Sequence, residues 1–295
     1  MKLLIGIMVL IGIICVLRSF WEQHHFKVEE YEIKTNKIQQ GKKYTFVFLT
    51  DLHNVSFGKE NQKLIEKIDM LRPDAILLGG DMLIGHSKPL WEHAVSLLAP
   101  LSKTYPIFYG IGNHEYRMKL YEEEYGDNYE RYCEILKKYG IHIMCNESIQ
   151  WMRELWIHGV EIEAQFYKRF EKNILTKENM EHYLGKKKKD GFHILIAHNP
   201  AYLDGYADWG ADLVLSGHNH GGIVRLPRLG GVISTQFTLF PKFDSGVFCK
   251  AHTKMILSRG LGTHTIPFRL GNIPEISVIH MEGTSNEENE KRIEK

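Results

Sequence analysis

The sequence predicts a layered α/β protein carrying an apolar helix at its N-terminus, and three observations predict it. Strand-like runs alternate with amphipathic helical runs through the first half of the chain, the pattern of layered α/β packing. The second half is mostly strand-like, with little helix between the strands, as expected of a second sheet. Residues 3–17, LLIGIMVLIGIICVL, are unbroken apolar sequence between Lys2 and Arg18. A chain of 295 residues, 43% apolar and 25% charged, suffices for the buried core of one large α/β domain or two smaller ones. The 37 basic and 36 acidic residues nearly cancel, which leaves no nucleic-acid footprint. Four cysteines are too few for a disulfide scaffold. Cys15 lies in the apolar leader, and Cys133, Cys145 and Cys249 read as ordinary semi-buried residues, with a Cys133–Cys145 bridge as the alternative.

Fifteen apolar residues are short for a membrane span and also suit a signal-peptide core or a buried helix. Three features favour an uncleaved anchor over residues 1–21. No small-x-small cleavage site follows the run, Ile14 before Cys15 spoils lipoprotein-type processing, and Lys2 and Arg18 can snorkel to lengthen the span. Phe20 and Trp21 stand where interfacial aromatics belong. Too few basic residues flank the run to orient it.

Residues 22–43 read as a polar connector that becomes a first strand around KVEEYEIK. YTFVFLT (44–50) is a strand, and ENQKLIEKIDML (60–71) a helix with Leu64, Ile65, Ile68 and Leu71 on one face. DAILLGG (74–80) is a buried strand, PLWEHAVSLLAPL a helix, PIFYGIG (106–112) a strand, and DNYERYCEILKKYG a helix closed by Gly140. ELWIHGVE, FHILIAH, DLVLSGH, MILSRGLG and EISVIHM supply the expected second sheet. The run Lys186–Lys189 reads as a solvated loop, and the charged stretch 282–295 as a fraying tail.

The ends of these strands share a property. YTFVFLT runs into Asp51 and His53, AILLGG into Asp81, IFYGIG into Asn113-His114-Glu115, FHILIA into His198, and LVLSG into His218-Asn219-His220. Five strands thus deliver metal-type ligands to the carboxyl edge of the sheet, where open α/β sheets bind their ligands. A lone strand-end histidine is ordinarily structural, and an Asp after Gly-Gly ordinarily a turn or cap; five in order are not. Within GHNH the i, i+2 spacing of an extended chain points His218 and His220 the same way. Three oxygen donors (Asp51, Asp81, Asn113) and four imidazoles (His53, His198, His218, His220) exceed one tetrahedral site and suit two adjacent divalent cations with a shared carboxylate. Such a pair brings the pKa of a bridging water from about 15.7 toward neutrality and clamps both oxygens of an in-line displacement. Phosphoester hydrolysis follows. A zinc peptidase does not, because NHEYR lacks the second histidine of His-Glu-x-x-His.

The ordered set Asp51-x-His53, Gly80-Asp81, Gly112-Asn-His-Glu115, His198 and Gly217-His-x-His220 resembles the calcineurin-like metallophosphoesterase superfamily over about residues 44–280. SGHNHGGIVRLP and LSRGLGTHTIPFRLGNIPEISVI further resemble its bacterial, membrane-associated branch of exported phosphoesterases and lipid A precursor hydrolases. The resemblance implies a four-layer α/β/β/α sandwich of two packed sheets over 44–281. It implies that Asp51, His53 and His220 hold one metal, that Asn113, His198 and His218 hold the second, that Asp81 bridges, and that His114 is the catalytic proton donor. It implies a phosphomonoester, phosphodiester or pyrophosphate substrate, of a lipid or nucleotide-linked lipid, with the domain on the extracytoplasmic face. The metals could be Mn, Fe, Zn or similar, since availability sets identity in N/O sites. One departure stands out: where the family has Gly-Asp-x-x-Asp, this chain has GDMLI, with Ile84 in place of the carboxylate that orients the histidine. Glu115, Asp204 or a water could take that place. The departure also supports a second reading, a membrane-tethered metal-binding or scaffold protein with weakened catalysis.

Overall fold

The computed structural model describes residues 1–86, 90–168, 173–188, 190–234, 237–263 and 266–285. Helix α1 (Lys2–Gln23) precedes strands β1 (Lys27–Thr35) and β2 (Lys43–Leu49). Then follow α2 (Gln62–Leu71), β3 (Ala75–Leu78), α3 (Glu92–Leu101), β4 (Ile107–Gly110), α4 (Asn113–Leu120), α5 (Glu122–Tyr125), α6 (Asn128–Lys138) and β5 (His142–Met144). The second half holds β6 (Glu147–Met152), β7 (Leu155–Gly159), α7 (Lys177–Leu184), β8 (Phe192–Ile196), α8 (Leu203–Trp209) and β9 (Leu213–Ser216). It closes with β10 (Val224–Leu226), β11 (Gly230–Ile233), β12 (Gly246–Lys250), β13 (Thr253–Leu257) and β14 (Glu275–Gly283).

Two six-stranded sheets form, in the orders β1-β14-β2-β3-β4-β5 and β12-β13-β9-β8-β7-β6, beside a two-stranded hairpin β10-β11. β2, β3, β4 and β5 run parallel, with Phe48 opposite Leu77 and Leu77 opposite Phe108. Alternation along these strands sends one set of side chains to each face. Phe46, Phe48, Leu77 and Phe108 meet Ile157, Ile194, Leu213 and Leu215 between the sheets, all buried. Val47, Leu49, Ile76 and Leu78 face the other way, onto Leu64 and Ile68 of α2, Leu97 and Leu98 of α3 and Leu136 of α6. On the far side Leu195, Val214 and Met255 pack with Met180, Tyr206 and Trp209. Each such side chain contributes about 1.5–3 kcal/mol on burial. Because both faces of both sheets are covered, the strands read as continuous apolar runs and give the four layers expected.

Three expectations change. EISVIHM does not join the second sheet: β14 inserts into the first, parallel to β1 and antiparallel to β2, with Val278 opposite Val47. An apolar run buried on both faces carries no mark of which sheet holds it. Helices α7 and α8 lie where little helix was expected, and α8 spans only seven residues with Gly205 inside it, too short for a clear apolar period. The apolar helix continues past residue 21 to Gln23, with Ser19 and Glu22 buried against the body. All four cysteines are free thiols. Lys189 and residues 286–295 of the charged tail lie outside the described residues.

Candidate metal centre

The five strand ends converge as expected, by a device that strand alternation alone would not supply. Directly after their strands, Asp51, His53, Asp81, His218 and His220 adopt left-handed backbone, with φ of 53°, 46°, 52°, 73° and 51°. The chain therefore turns at the carboxyl edge and swings each side chain inward. His218 and His220 do not lie in extended chain; the Asn219 N–H donates to Gly217 O at 2.8 Å, a tight turn that aims the two rings at different partners. Glycines clear the space. A Cβ on Gly217 would stand 2.3 Å from Asp51 Oδ2, and one on Gly112 2.2 Å from Asp81 Oδ1.

Asp51, His53 and His220 each place a ligand atom within 4.8 Å of the others; so do Asp81, His198 and His218, and so do His53, Asp81 and His114. Asp81 Oδ2 lies 3.0 Å from His198 Nε2 and 3.9 Å from His53 Nε2, and so stands between the two groups. His220 Nε2 is 3.4 Å from Asp51 Oδ1 and 3.1 Å from His53 Nε2. The Asn113 side-chain oxygen, on the first residue of α4, is buried without a hydrogen-bond partner. A buried orphan acceptor costs about 1–3 kcal/mol, a cost that a cation ligated there would remove.

Backbone carbonyls set the rings. His198 Nδ1 meets Gly79 O at 2.7 Å and His220 Nδ1 meets Gly262 O at 3.0 Å. A carbonyl can only accept, so both Nδ1 atoms carry hydrogen and both Nε2 atoms are turned toward the carboxylates, the arrangement that metal-binding histidines use. The electrostatics match a cation site. Burial works against charge on His198, yet the Asp81 and Asp51 carboxylates hold it up to about 10. Burial pushes Asp81 and Asp51 up, but the surrounding imidazoles outweigh it and leave both below the ordinary carboxylate range. Burial, joined by the His198 charge for His218 and opposed by Asp51 for His220, lowers His218 to about 4 and His220 to about 3.

His114 is buried on the first turn of α4, and its own N–H donates to Asp81 Oδ1 at 2.8 Å. At half-buried Ile84 neither Glu115 nor Asp204 takes the place of the missing carboxylate. Gly85 N–H donates to His114 Nδ1 at 3.2 Å, which makes Nδ1 the acceptor and puts the proton on Nε2. Asp204 is exposed and paired with Lys250 at 2.8 Å. Glu115 is consumed elsewhere: its buried carboxylate accepts from the N–H groups of Asp81, Met82, Leu83 and Gly112 and from the Tyr109 hydroxyl, at 2.8–3.2 Å.

Several supporting residues were given no role of their own by the sequence. Arg269 is 1% exposed, and its guanidinium donates to the carbonyls of Arg259, Gly260, Gly262 and Asn272. The Asn272 amide donates to His220 O at 2.7 Å and Gly222 O at 2.6 Å. Arg269 and Asn272 lie in LSRGLGTHTIPFRLGNIPEISVI, a stretch that carries the family resemblance, but only the tertiary fold brings to them the carbonyls they hold. A cleft of about 280 Å³ opens beside His218, walled by Tyr167, Tyr202 and Phe243 and carrying Lys168 and Lys242.

Carboxylates and oriented imidazoles at the carboxyl edge of a two-sheet α/β sandwich define a metal-dependent hydrolase. The chain belongs to the calcineurin-like phosphoesterase family, whose profile matches residues 44–222. It is 27% identical to an uncharacterized metallophosphoesterase of Aquifex aeolicus over 274 residues, 91% of this chain and 96% of that protein. It is 24% identical to the phosphodiesterase YaeI of Escherichia coli over 248 residues, covering 81% of this chain and 82% of YaeI. Among solved structures, the NAD nucleotidase of Haemophilus influenzae overlays with a TM-score of 0.46 at 12% identity, over 76% of this chain and 46% of that one. The chain is thus a phosphoesterase with a divalent metal centre.

Proposed function

We propose that this protein is a membrane-anchored phosphoesterase using two divalent cations, and that it hydrolyses a phosphoester or pyrophosphate bond of a phosphate-bearing lipid. One observation carries the dinuclear reading: two ligand groups, Asp51-His53-His220 and Asp81-His198-His218, lie side by side with the Asp81 carboxylate between them and the orphaned Asn113 oxygen close in sequence to His114. Asp51, His53 and His220 would hold one cation, Asn113, His198 and His218 the other, and Asp81 both. Bound there, such a pair acidifies water and neutralises charge on the phosphoryl oxygens. The residues of the chain do the rest. Gly79 and Gly262 carbonyls keep two imidazoles turned toward the centre, and Lys168 and Lys242 offer positive charge to an anionic substrate entering the cleft. His114, grouped with His53 and Asp81, would give a proton to the leaving oxygen from its imidazolium form, for which Gly85 N–H must release Nδ1. The scaffold reading keeps Ile84 as its support, since Gly85 N–H donates to Nδ1 where the family's carboxylate would accept from it.

The test is turnover of bis(p-nitrophenyl) phosphate, an aryl monoester and an aryl pyrophosphate by the detergent-solubilised full chain, with Mn, Fe or Zn supplied. Turnover abolished by a chelator and restored by metal is the expected result. Two bound metals with no turnover on any substrate would favour the scaffold.

The role of His114 has its own signature. His114→Ala is expected to lose at least about 10²-fold with an alkyl phosphate, within the range of general-acid catalysis, and much less with a nitrophenyl ester whose leaving group departs unaided. Metal content should stay at the wild-type level. Equal losses on both substrates would recast His114 as a phosphate-positioning group.

The anchor belongs to the same proposal. Helix α1 is long and apolar enough to cross a membrane and lies almost wholly uncovered by the body. Placement of the catalytic domain on the extracytoplasmic face rests on the likeness of SGHNHGGIVRLP to exported relatives.

A further inference from the structure

Helix α1 is not a loose tether. The buried Glu22 carboxylate accepts from the N–H groups of Gly271 at 3.1 Å and Asn272 at 2.8 Å, and from Arg18 Nε at 2.7 Å. Ser19 Oγ accepts from Arg269 N–H at 2.9 Å, and the Gln23 amide donates to Pro267 O at 3.0 Å. The last turn of α1 is therefore seated on segment 267–272, while the residues before it project away from the body. The same segment carries the hairpin. Leu270 pairs with Val224 of β10, its N–H donating to Ile223 O at 3.0 Å and its carbonyl accepting from Arg225 N–H at 2.8 Å. A strap, residues 237–243, continues from the hairpin: Phe240 N–H donates to Val232 O at 2.9 Å, and Leu239 pairs with Ile233.

This unit has two faces. Thr238, Pro241, Lys242 and Phe243 line the cleft beside His218. Leu226, Leu229, Leu239 and Phe240 turn outward, between 46% and 65% exposed. Among the described residues outside α1, other exposed large apolar side chains, such as Met70, Met152 and Ile174, are scattered along the sequence. A cluster at one edge, beside a site, marks an interaction surface.

We infer that the hairpin and strap are a second membrane contact, seated in the interfacial layer of the bilayer that α1 spans, so that the cleft opens onto lipid headgroups. This rests on the anchor and lipid-substrate readings and deepens them by naming the surface that brings the cleft to the headgroups. Residues 3–17 extend only about 22 Å as helix, short of a hydrocarbon core of about 30 Å. A short span draws its flanks into the interface. Here the flank is Ser19-Phe20-Trp21, and the body is joined to it without slack, so the hairpin-bearing edge is drawn down as well. Arg228 and Lys242 on that edge suit anionic headgroups.

The experiment uses the full chain with its four cysteines replaced by Ser, reconstituted in phosphatidylcholine and phosphatidylglycerol vesicles. An environment-sensitive fluorophore is placed by Leu229→Cys, Phe240→Cys or, as control near the opposite end of the parallel strands, Met70→Cys. Nitroxide lipids should quench the probes at 229 and 240 at a depth of roughly 5–10 Å and leave the probe at 70 untouched. Probes at 229 and 240 that stay unquenched while alkaline carbonate leaves the chain in the vesicles would overturn the second contact and spare the anchor. Probes shielded from an aqueous quencher yet unquenched by lipid would overturn it in favour of a second copy of the chain. Extraction of the chain by carbonate would overturn both.

Discussion

Asp81→Ala is expected to bind fewer than two metal ions per chain and to lose turnover by about 10³-fold or more. Two unit charges 4 Å apart repel by about 4 kcal/mol at an effective dielectric of 20, and two divalent ions by more. Removing the carboxylate that stands between the ligand groups exposes that repulsion, and 4 kcal/mol alone is about three decades of affinity. The fold should survive, since Asp81 accepts only a few bonds, chiefly the His114 N–H. Asp81→Asn separates charge from shape: it keeps an acceptor for that N–H and tolerates the left-handed backbone at φ 52°, yet should lose metal as well. Elemental analysis beside a turnover assay checks both variants, and two metals retained in Asp81→Ala would remove this residue from the ligand set.

Glu115→Gln is expected to fail in the opposite way, losing stability before metal affinity can be asked about. Four backbone N–H groups and one hydroxyl converge on that carboxylate. Burial, then the nearby Asp81 charge, push it above its ordinary value, while Tyr109 and the backbone donors pull against them. A glutamine offers one acceptor oxygen and turns an NH₂ toward the remaining donors. At least two buried N–H groups then lack a partner, at about 1–3 kcal/mol each, against a total stability of about 5–15 kcal/mol. Thermal melting of the metal-free protein should fall by many degrees, at roughly 2–4 °C per kcal/mol for a large domain. A variant that melts like wild type but does not turn over would make Glu115 part of the chemistry.

The contrast between these residues shows what was legible. Asp51, Asp81 and the histidines announce themselves because each follows a buried strand, and strand ends are readable from apolar runs and glycines. Their convergence follows from the parallel order β2-β3-β4 and β7-β8-β9, which alternation with helices implied for the first sheet. The insertion of β14 between β1 and β2 was not legible, since pairing across more than two hundred residues leaves no local trace. Neither was the Gly85 donor at His114, because a backbone N–H has no residue identity. Arg269 and Glu22 illustrate a third limit. A charged side chain is ordinarily exposed, and both are buried here only because carbonyls, or backbone N–H groups, from a distant segment surround them.

The left-handed turns at Asp51, His53, Asp81, His218 and His220 bear on how this chain could change over generations. Each holds a non-glycine residue in a conformation that costs of order 1 kcal/mol or more, so together they consume a sizeable part of a marginal stability. Glycine would relieve strain at the three histidines, whereas at Asp51 and Asp81 it would also strip the His218 and His114 N–H groups of their acceptors. A lineage with no use for the ions would find stabilising substitutions at these histidines before anywhere in the core, and selection for thermal robustness alone would erode that part of the centre first. That three histidines remain where glycine would sit more comfortably is the imprint of a requirement the fold itself does not make.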